Sequence, residues 1–142
     1  MRNVVFVVIN KNVNDISKVL FQRNKFFLKY SNNFCGYFIP KENPKINVWV
    51  TTGIYNKHNL MVFDKVDKGV IVISNESFSE NDFWNNLKKN YDQLRKISKK
   101  ISIILVYIEK KNFKQNILQW CMEHNNMECR ELTNKGISLD NL

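Results

Sequence analysis

Residues 3–9 read NVVFVVI, and residues 9–17, which follow without a break, read INKNVNDIS. An apolar run rich in β-branched residues predicts a strand that is buried on both faces of a parallel sheet. Residues 15–23 (DISKVLFQR) then carry apolar side chains at helical spacing. A strand, a short polar loop and a helix therefore open the chain, and units of this kind build a parallel sheet wrapped by helices.

The rest of the chain continues this alternation. Further strands are predicted at residues 34–39, 45–52, 69–74, 101–108 and 127–133, whereas 54–67 fits neither period. Further helices are predicted at 113–124 and over about five turns that carry Phe83 to Ile97 on one face. Pro40 and Pro44 favour a hairpin between the second and third strands, and Ser79 is the predicted N-cap of the long helix. We predict an α/β fold in one domain over residues 1–142, with about six mostly parallel strands, one antiparallel hairpin and helices on both faces.

The net charge of +9 would normally indicate a nucleic acid or an anionic membrane as partner. The chain has no Ala and only 4 Gly, and it is rich in Asn, Lys, Ile and Phe, which indicates an AT-rich coding sequence that raises the Lys content by itself. The basic residues are also spread along the chain. We therefore do not expect a nucleic-acid partner, although a basic nucleic-acid-binding module stays open as an alternative.

Apolar runs and cysteines bear on the compartment. No apolar run approaches the roughly 18 residues of a membrane-spanning helix, and no signal peptide or membrane anchor is expected. Cys35, Cys121 and Cys129 lack metal-ligand spacing and are expected to be reduced structural thiols. His58 and His124 also lack partners at metal spacing, so we expect no metal. A cytoplasmic or nuclear location follows.

The loop after the first strand stands where a phosphate-binding loop, G-x-x-x-x-G-K-[ST], would lie. Such a loop cradles phosphates with backbone N–H groups, and its Lys and hydroxyl contact the outer phosphates and Mg²⁺. In the best register Ile9 and Asn14 occupy the glycine positions, Asp15 the lysine position and Ile16 the hydroxyl position. An acidic residue in place of the lysine would repel a triphosphate, so the position is kept while the chemistry is lost.

A second motif lies in the segment NVWVTTG, which ends at Gly53. Together with the order of the elements, it resembles the W-D-T-A-G segment of the Ras-superfamily small GTPases. Trp49, Thr51 and Gly53 match that segment. The resemblance implies that the Asp supporting Mg²⁺ is replaced by Val50, and that the Gln positioning the attacking water is replaced by Ile54.

The remaining motifs of the resemblance point the same way. Lys111 stands at the Asp of the guanine-reading N-K-x-D motif, and a lysine cannot accept the hydrogen bonds of the base. Lys135, in TNK at residues 133–135, matches the S-A-K motif. The first switch would fall near residues 29–36, without a clear Mg²⁺-binding Thr. The chain thus resembles a degenerate small GTPase, closer to Ran than to Rab, without a lipid site and with its C-terminal helix missing or reduced.

This resemblance implies a pseudo-GTPase that needs no cofactor, has no catalytic residue and works as a protein-interaction scaffold. Partners, a second copy or the subunits of a complex would bind a switch-like surface at residues 29–39 and 53–67. The expected contacts are Tyr37, Phe38, Trp49, Ile54 and Tyr55. Loss of the C-terminal helix would leave part of one sheet face uncovered. A divergent GTPase that still binds guanine nucleotide is the main alternative.

Overall fold

A computed structural model describes residues 1–9, 12–52, 66–74, 80–98 and 100–142. Its strands are β1 (Arg2–Ile9), β2 (Phe26–Ser31), β3 (Cys35–Pro40), β4 (Ile46–Thr51), β5 (Lys68–Ser74), β6 (Ile101–Val106) and β7 (Glu128–Glu131). Its helices are α1 (Val13–Leu20), α2 (Glu80–Ile97) and α3 (Lys111–Glu123), followed by a short 3-10 turn (Leu139–Asn141).

The strands form one seven-stranded sheet in the order β2-β3-β4-β1-β5-β6-β7. The inner strand β1 runs parallel to β4 and β5, and β6 runs parallel to β5 and β7. β3 is antiparallel to β4, which confirms the predicted hairpin. All six predicted strands are present.

The seventh strand, β2, was not predicted. It pairs antiparallel with β3 at the edge of the sheet, and a bulge interrupts the pairing between Leu28 and Tyr30. Four consecutive residues of β2, Phe27 to Tyr30, are exposed. An edge strand without one buried face does not show the alternation by which strands are recognised in a sequence.

Two apolar layers lie on the two faces of the sheet. The layer on the α1 face includes Val4, Phe6 and Val8 of β1, and the layer under α2 and α3 includes Val5 and Val7. β1 is therefore buried on both faces, as its apolar run predicts, and helices cover both sides of the sheet.

The structure corrects the predicted bounds of α1 and β6. α1 begins at Val13 and not at residue 15, because Asn12 caps it, and it ends at Leu20 because Phe21 turns to extended backbone. β6 ends at Val106, because the next residue, Tyr107, has a φ of 51°. The predicted cap Ser79 lies outside the described residues. In the part of the chain that the structure describes, no helix is long and apolar enough to cross a membrane.

The segment after β7 covers the sheet face that was expected to be open, so that expectation is wrong. Ile137 and Leu142 are 1% and 4% exposed and belong to the apolar layer of the α1 face. The N–H of Ile137 donates to the carbonyl of Leu20 at 2.9 Å. At Gly136, with a φ of 73°, a Cβ would lie 2.7 Å from the same carbonyl oxygen. The segment approaches the end of α1 this closely because glycine stands there.

Candidate functional site

The carboxyl ends of β1, β4, β5 and β6 lie along one edge of the sheet, since these strands are parallel. In open α/β sheets, ligands bind in the crevice outside this edge. β1 ends at Ile9 and α1 begins at Val13 on this side, so the first N–H groups of α1, which have no partner within the helix, point toward the crevice. A phosphate would bind to those groups.

The first N–H groups of α1 are already bonded within the chain. The N–H of Val13 donates to the carbonyl oxygen of Asn33 at 3.0 Å. The N–H of Asn14 donates to the side-chain Oδ1 of Asn12 at 2.8 Å, in the usual geometry of an N-cap. The carbonyl of Asn12 accepts the first hydrogen bond of the helix, from Ile16 at 3.2 Å. Two donors that a phosphate would use are therefore taken by oxygens of the protein.

Side chains strengthen the contact between α1 and the connection from β2 to β3. We call residues 31–35 the β2–β3 turn. The Nδ2 of Asn14 donates to the Oδ1 of Asn33 at 3.0 Å, and the Oγ of Ser31 donates to the Oδ1 of Asn14. With the backbone bond from Val13, three hydrogen bonds tie this turn to the start of α1.

The β2–β3 turn also has internal support. The Oδ1 of Asn32 accepts from the N–H groups of Phe34 and Cys35, each at 2.8 Å, which is an Asx turn. The N–H of Asn32 donates to the carbonyl of Cys35 at 2.8 Å, and the N–H of Thr52 donates to that of Phe34 at 3.3 Å. The backbone is thus fixed locally, and the turn presents the side chain of Phe34, which is 70% exposed.

Three of the predicted degenerate positions are packing residues. Ile16 and Val50 are 3% and 0% exposed and lie in the layer of the α1 face, and Ile9 is 3% exposed in the opposite layer. Asp15 is exposed in the first turn of α1, where a carboxylate interacts favourably with the positive end of the helix. The protein thus supplies a negative charge at the helix end where a phosphate would lie.

The structure does not connect the other predicted site residues to the start of α1 where it describes them. Lys111 is the exposed first residue of α3, and Lys135 is exposed in the segment after β7. No hydrogen bond joins either to α1 in the described parts of the chain. Gly53, Ile54, Tyr55 and His58 lie outside the described residues. Within residues 1–9, 12–52, 66–74, 80–98 and 100–142, no group of three or more His, Cys, Asp or Glu is placed to hold a metal ion.

The described partner contacts divide into two groups. Tyr37 and Trp49 are half-buried and stack with ring centroids 4.2 Å apart, on the sheet face opposite α1. Phe38 is 5% exposed and stacks on Phe21 at 4.6 Å, so its prediction as a partner contact is wrong. Strand alternation places Phe38 on the face that α1 covers.

Exposed apolar side chains near the turn were missed by the sequence interpretation. Phe27, Leu28 and Tyr30 of β2 are 50%, 52% and 54% exposed. The signal was the run FFLKYS, in which large apolar residues stand next to each other without alternation. Such a run fits an edge strand with a contact surface better than a core strand.

His124 and Cys121 have packing roles, as expected. The ring of His124 stacks on Trp120 with centroids 3.9 Å apart, and its Nδ1 lies 2.7 Å from the carbonyl of Trp120. Cys121 is 2% exposed in the layer under α2 and α3.

No family model matches the sequence, and no curated protein matches it. Solved structures do: 50 chains are similar, among them a point variant of Era from Aquifex aeolicus bound to GDP and AlF4⁻. The identity to this Era is 14% and the TM-score is 0.57, and the match covers 99% of this chain and 54% of that one. This chain has a P-loop GTPase-like fold. It spans about half the length of the Era chain, and at this identity the likeness shows the fold alone.

Because the fold is P-loop GTPase-like, the start of α1 can be compared with a P-loop. In a P-loop, backbone N–H groups between the first strand and the first helix cradle phosphates, and a lysine reaches the outer ones. In this P-loop GTPase-like fold the corresponding N–H groups of Val13 and Asn14 are bonded to Asn33 and Asn12. The charged side chain in the first turn of α1 is that of Asp15, which is acidic, whereas a P-loop has a lysine.

Proposed function

We propose that this protein is a small-GTPase-like domain that does not bind GTP at the start of α1, does not hydrolyse it and acts as a scaffold for a protein partner. The observation that carries the proposal is the bonding of the Val13 and Asn14 N–H groups to Asn33 and Asn12. A phosphate bound at the start of this helix would use such N–H groups.

A triphosphate would have to displace those internal bonds before it could bind. Each displaced bond costs about 0.5–1.5 kcal/mol, and the bonds of Asn14 to the β2–β3 turn would be disturbed as well. A conventional P-loop offsets such costs with a lysine and a hydroxyl. Here Asp15 adds repulsion, and Ile16 is directed into the core.

A domain that binds no nucleotide at the start of α1 must hold its switch-like loops in another way, and the hydrogen bonds between α1 and the turn support this part of the proposal. In GTPases, contacts to the γ-phosphate and Mg²⁺ order the switch loops, and hydrolysis releases them. The β2–β3 turn is ordered by protein hydrogen bonds instead, from Val13, Asn14 and Ser31. A switch surface held this way stays in one state, which suits a scaffold.

The partner surface that we propose combines this turn with the outer side of β2. Phe27 and Tyr30 lie on the sheet face opposite α1 and are 50% and 54% exposed. Phe34 of the turn is 70% exposed. Adjacent exposed apolar side chains mark interaction sites, and aromatic residues carry much of the binding energy in such sites. A protein, a second copy of this chain or the subunits of a complex could contribute the complementary surface.

The nucleotide part is tested with fluorescent GTP and GDP, with and without Mg²⁺, and with ATP as competitor. We expect neither binding nor a thermal shift at millimolar nucleotide that is specific for guanine and requires Mg²⁺. Guanine-specific binding that requires Mg²⁺ would overturn the proposal and make the chain a divergent GTPase.

The scaffold part is tested on an identified partner by titration. The double variant Tyr30→Ala, Phe34→Ala is expected to weaken binding at least about tenfold. The matched control is Met122→Ala, because Met122 is 65% exposed but lies on α3. Equal affinities of wild type and double variant would remove the surface from this proposal, whatever the nucleotide result.

A further inference from the structure

A second cavity lies at the other edge of the sheet, where the parallel strands begin. Its volume is about 870 Å³. Its base is formed by the first residues of β1, β5, β6 and β7, and its walls by the end of α2, residues 125–127 and the 3-10 turn. It is therefore separate from the start of α1, and it is independent of the proposed function.

Cations predominate in the lining. Arg2, Lys68, Arg95 and Lys100 line the cavity. The lining also holds two carboxylates, Glu128 and Asp140, and Glu128 forms an ion pair with Arg130. None of the four lining cations has an ion pair with another residue that the structure describes.

Lys68 is affected by most of the charged groups around the cavity. It is half-buried, and burial is the main cause that lowers the pKa of its ammonium group. Glu128 opposes this effect, whereas Arg2, Arg130 and Lys100 lower the pKa further. Repulsion among these groups is the state that a bound anion would relieve.

A purely structural explanation covers only part of the cluster. Basic residues in the last turn of a helix stabilise it through the helix dipole, which accounts for Arg95 at the end of α2. Arg2 and Lys68 begin strands, so the helix dipole does not explain them. A high Lys content explains many lysines on the surface but not their convergence on one cavity.

We propose that this cavity binds a small polyanion with two or more phosphate groups. Its volume is in the range of small-molecule sites, and charge-assisted hydrogen bonds from Arg and Lys are the usual means of holding phosphates. A small ligand is favoured over a nucleic acid, because the cations surround a concavity. The aromatic ring in the lining, that of Tyr91, is only 3% exposed and cannot stack on a base.

The test is calorimetric titration of the whole chain with inorganic tripolyphosphate, without Mg²⁺, at two salt concentrations. We expect saturable one-to-one binding, and equal competition by ATP and GTP, because no base is read. The double variant Arg2→Gln, Lys100→Gln should bind at least about tenfold more weakly. Both residues are exposed, so this variant is expected to fold. Lys68→Gln is the second variant, and circular dichroism checks the fold of each.

The matched control is Lys18→Gln, which removes one exposed charge from α1 and should leave the affinity within about twofold of wild type. Absence of saturable binding, or an equal loss in this control, would overturn the proposal. Tight binding of polyuridylate that tripolyphosphate fails to displace would also overturn it, in favour of a nucleic-acid contact.

Discussion

Replacing Asn14 with alanine removes both side-chain hydrogen bonds that join α1 to the β2–β3 turn, one with Asn33 and one with Ser31. The backbone bond from Val13 to Asn33 is left without that support. The variant therefore tests whether the turn is held by the start of α1, which is the basis of the proposed function.

The expected change in the free energy of unfolding follows from the two lost hydrogen bonds and from the difference in helix propensity. One bond is exposed and the other partly buried, so together they contribute about 1–2 kcal/mol. Asn14 is the second residue of α1, and alanine returns up to about 0.5 kcal/mol through its higher helix propensity. We expect a net loss of about 1 kcal/mol in the free energy of unfolding, which corresponds to a fall of about 3–4 °C in Tm.

Urea unfolding measures the free energy, and native-state hydrogen exchange of the Val13 amide reports on the tie itself. Exchange of that amide should become about fivefold faster if its bond to Asn33 loses about 1 kcal/mol. The control is Asn85→Ala, an exposed position inside α2, where the same substitution should leave stability unchanged or raise it by up to about 0.5 kcal/mol.

Equal unfolding free energies for the Asn14→Ala and Asn85→Ala variants, with unchanged exchange at Val13, would refute the reasoning. The turn would then not depend on α1. The bond between Val13 and Asn33 would no longer support the proposal that phosphate is excluded from the start of α1.

Three further substitutions test the packing and the thiols. Gly69→Ala would place a Cβ 2.5 Å from the Cδ2 of Leu94, which is 0% exposed, so we expect urea unfolding to show a loss of about 1–3 kcal/mol. Leu142→Ala should cost about 2 kcal/mol in the same assay, because the side chain is 4% exposed in the layer of the α1 face, and an unchanged stability would mean that this segment does not cover the sheet. The pKa of Cys129 is lowered by a hydrogen bond from Cys121, so the pH midpoint of its alkylation should rise in Cys121→Ala, and an unchanged midpoint would exclude that bond.

Strands that are buried on both faces could be predicted from the sequence. The edge strand and the segment after β7 could not. β1, β5 and β6 are read directly as apolar runs, because nearly every residue of these strands after the first one or two meets a packed layer. β2 lacks that signal because it lies at the sheet edge with four exposed residues. The burial of Ile137 and Leu142 could not be read from an isolated tail, since it depends on the groove beside α1.

The residue types at the candidate site are present in the sequence, but their contacts are not. Asp15 and Val50 are not the residue types that usually hold phosphate and Mg²⁺, and the replacement of a guanine-reading Asp by Lys111 stays a prediction. The role of Phe38 was wrong, because whether an aromatic residue faces a partner or the core depends on the face of the sheet it occupies.

The sequence by itself determined the parallel α/β core and the residue types at the positions compared with a phosphate-binding loop, because local periodicity and side-chain chemistry are present in the chain before it folds. Only the tertiary structure decided that Asn33, 19 residues beyond Asn14, closes the start of α1. It alone decided that Arg2, Lys68 and Lys100 meet around one cavity. Hydrogen bonds and charge clusters between distant segments depend on which elements become neighbours in the sheet, and that order, β4-β1-β5-β6 at its centre, is fixed only when the strands pack.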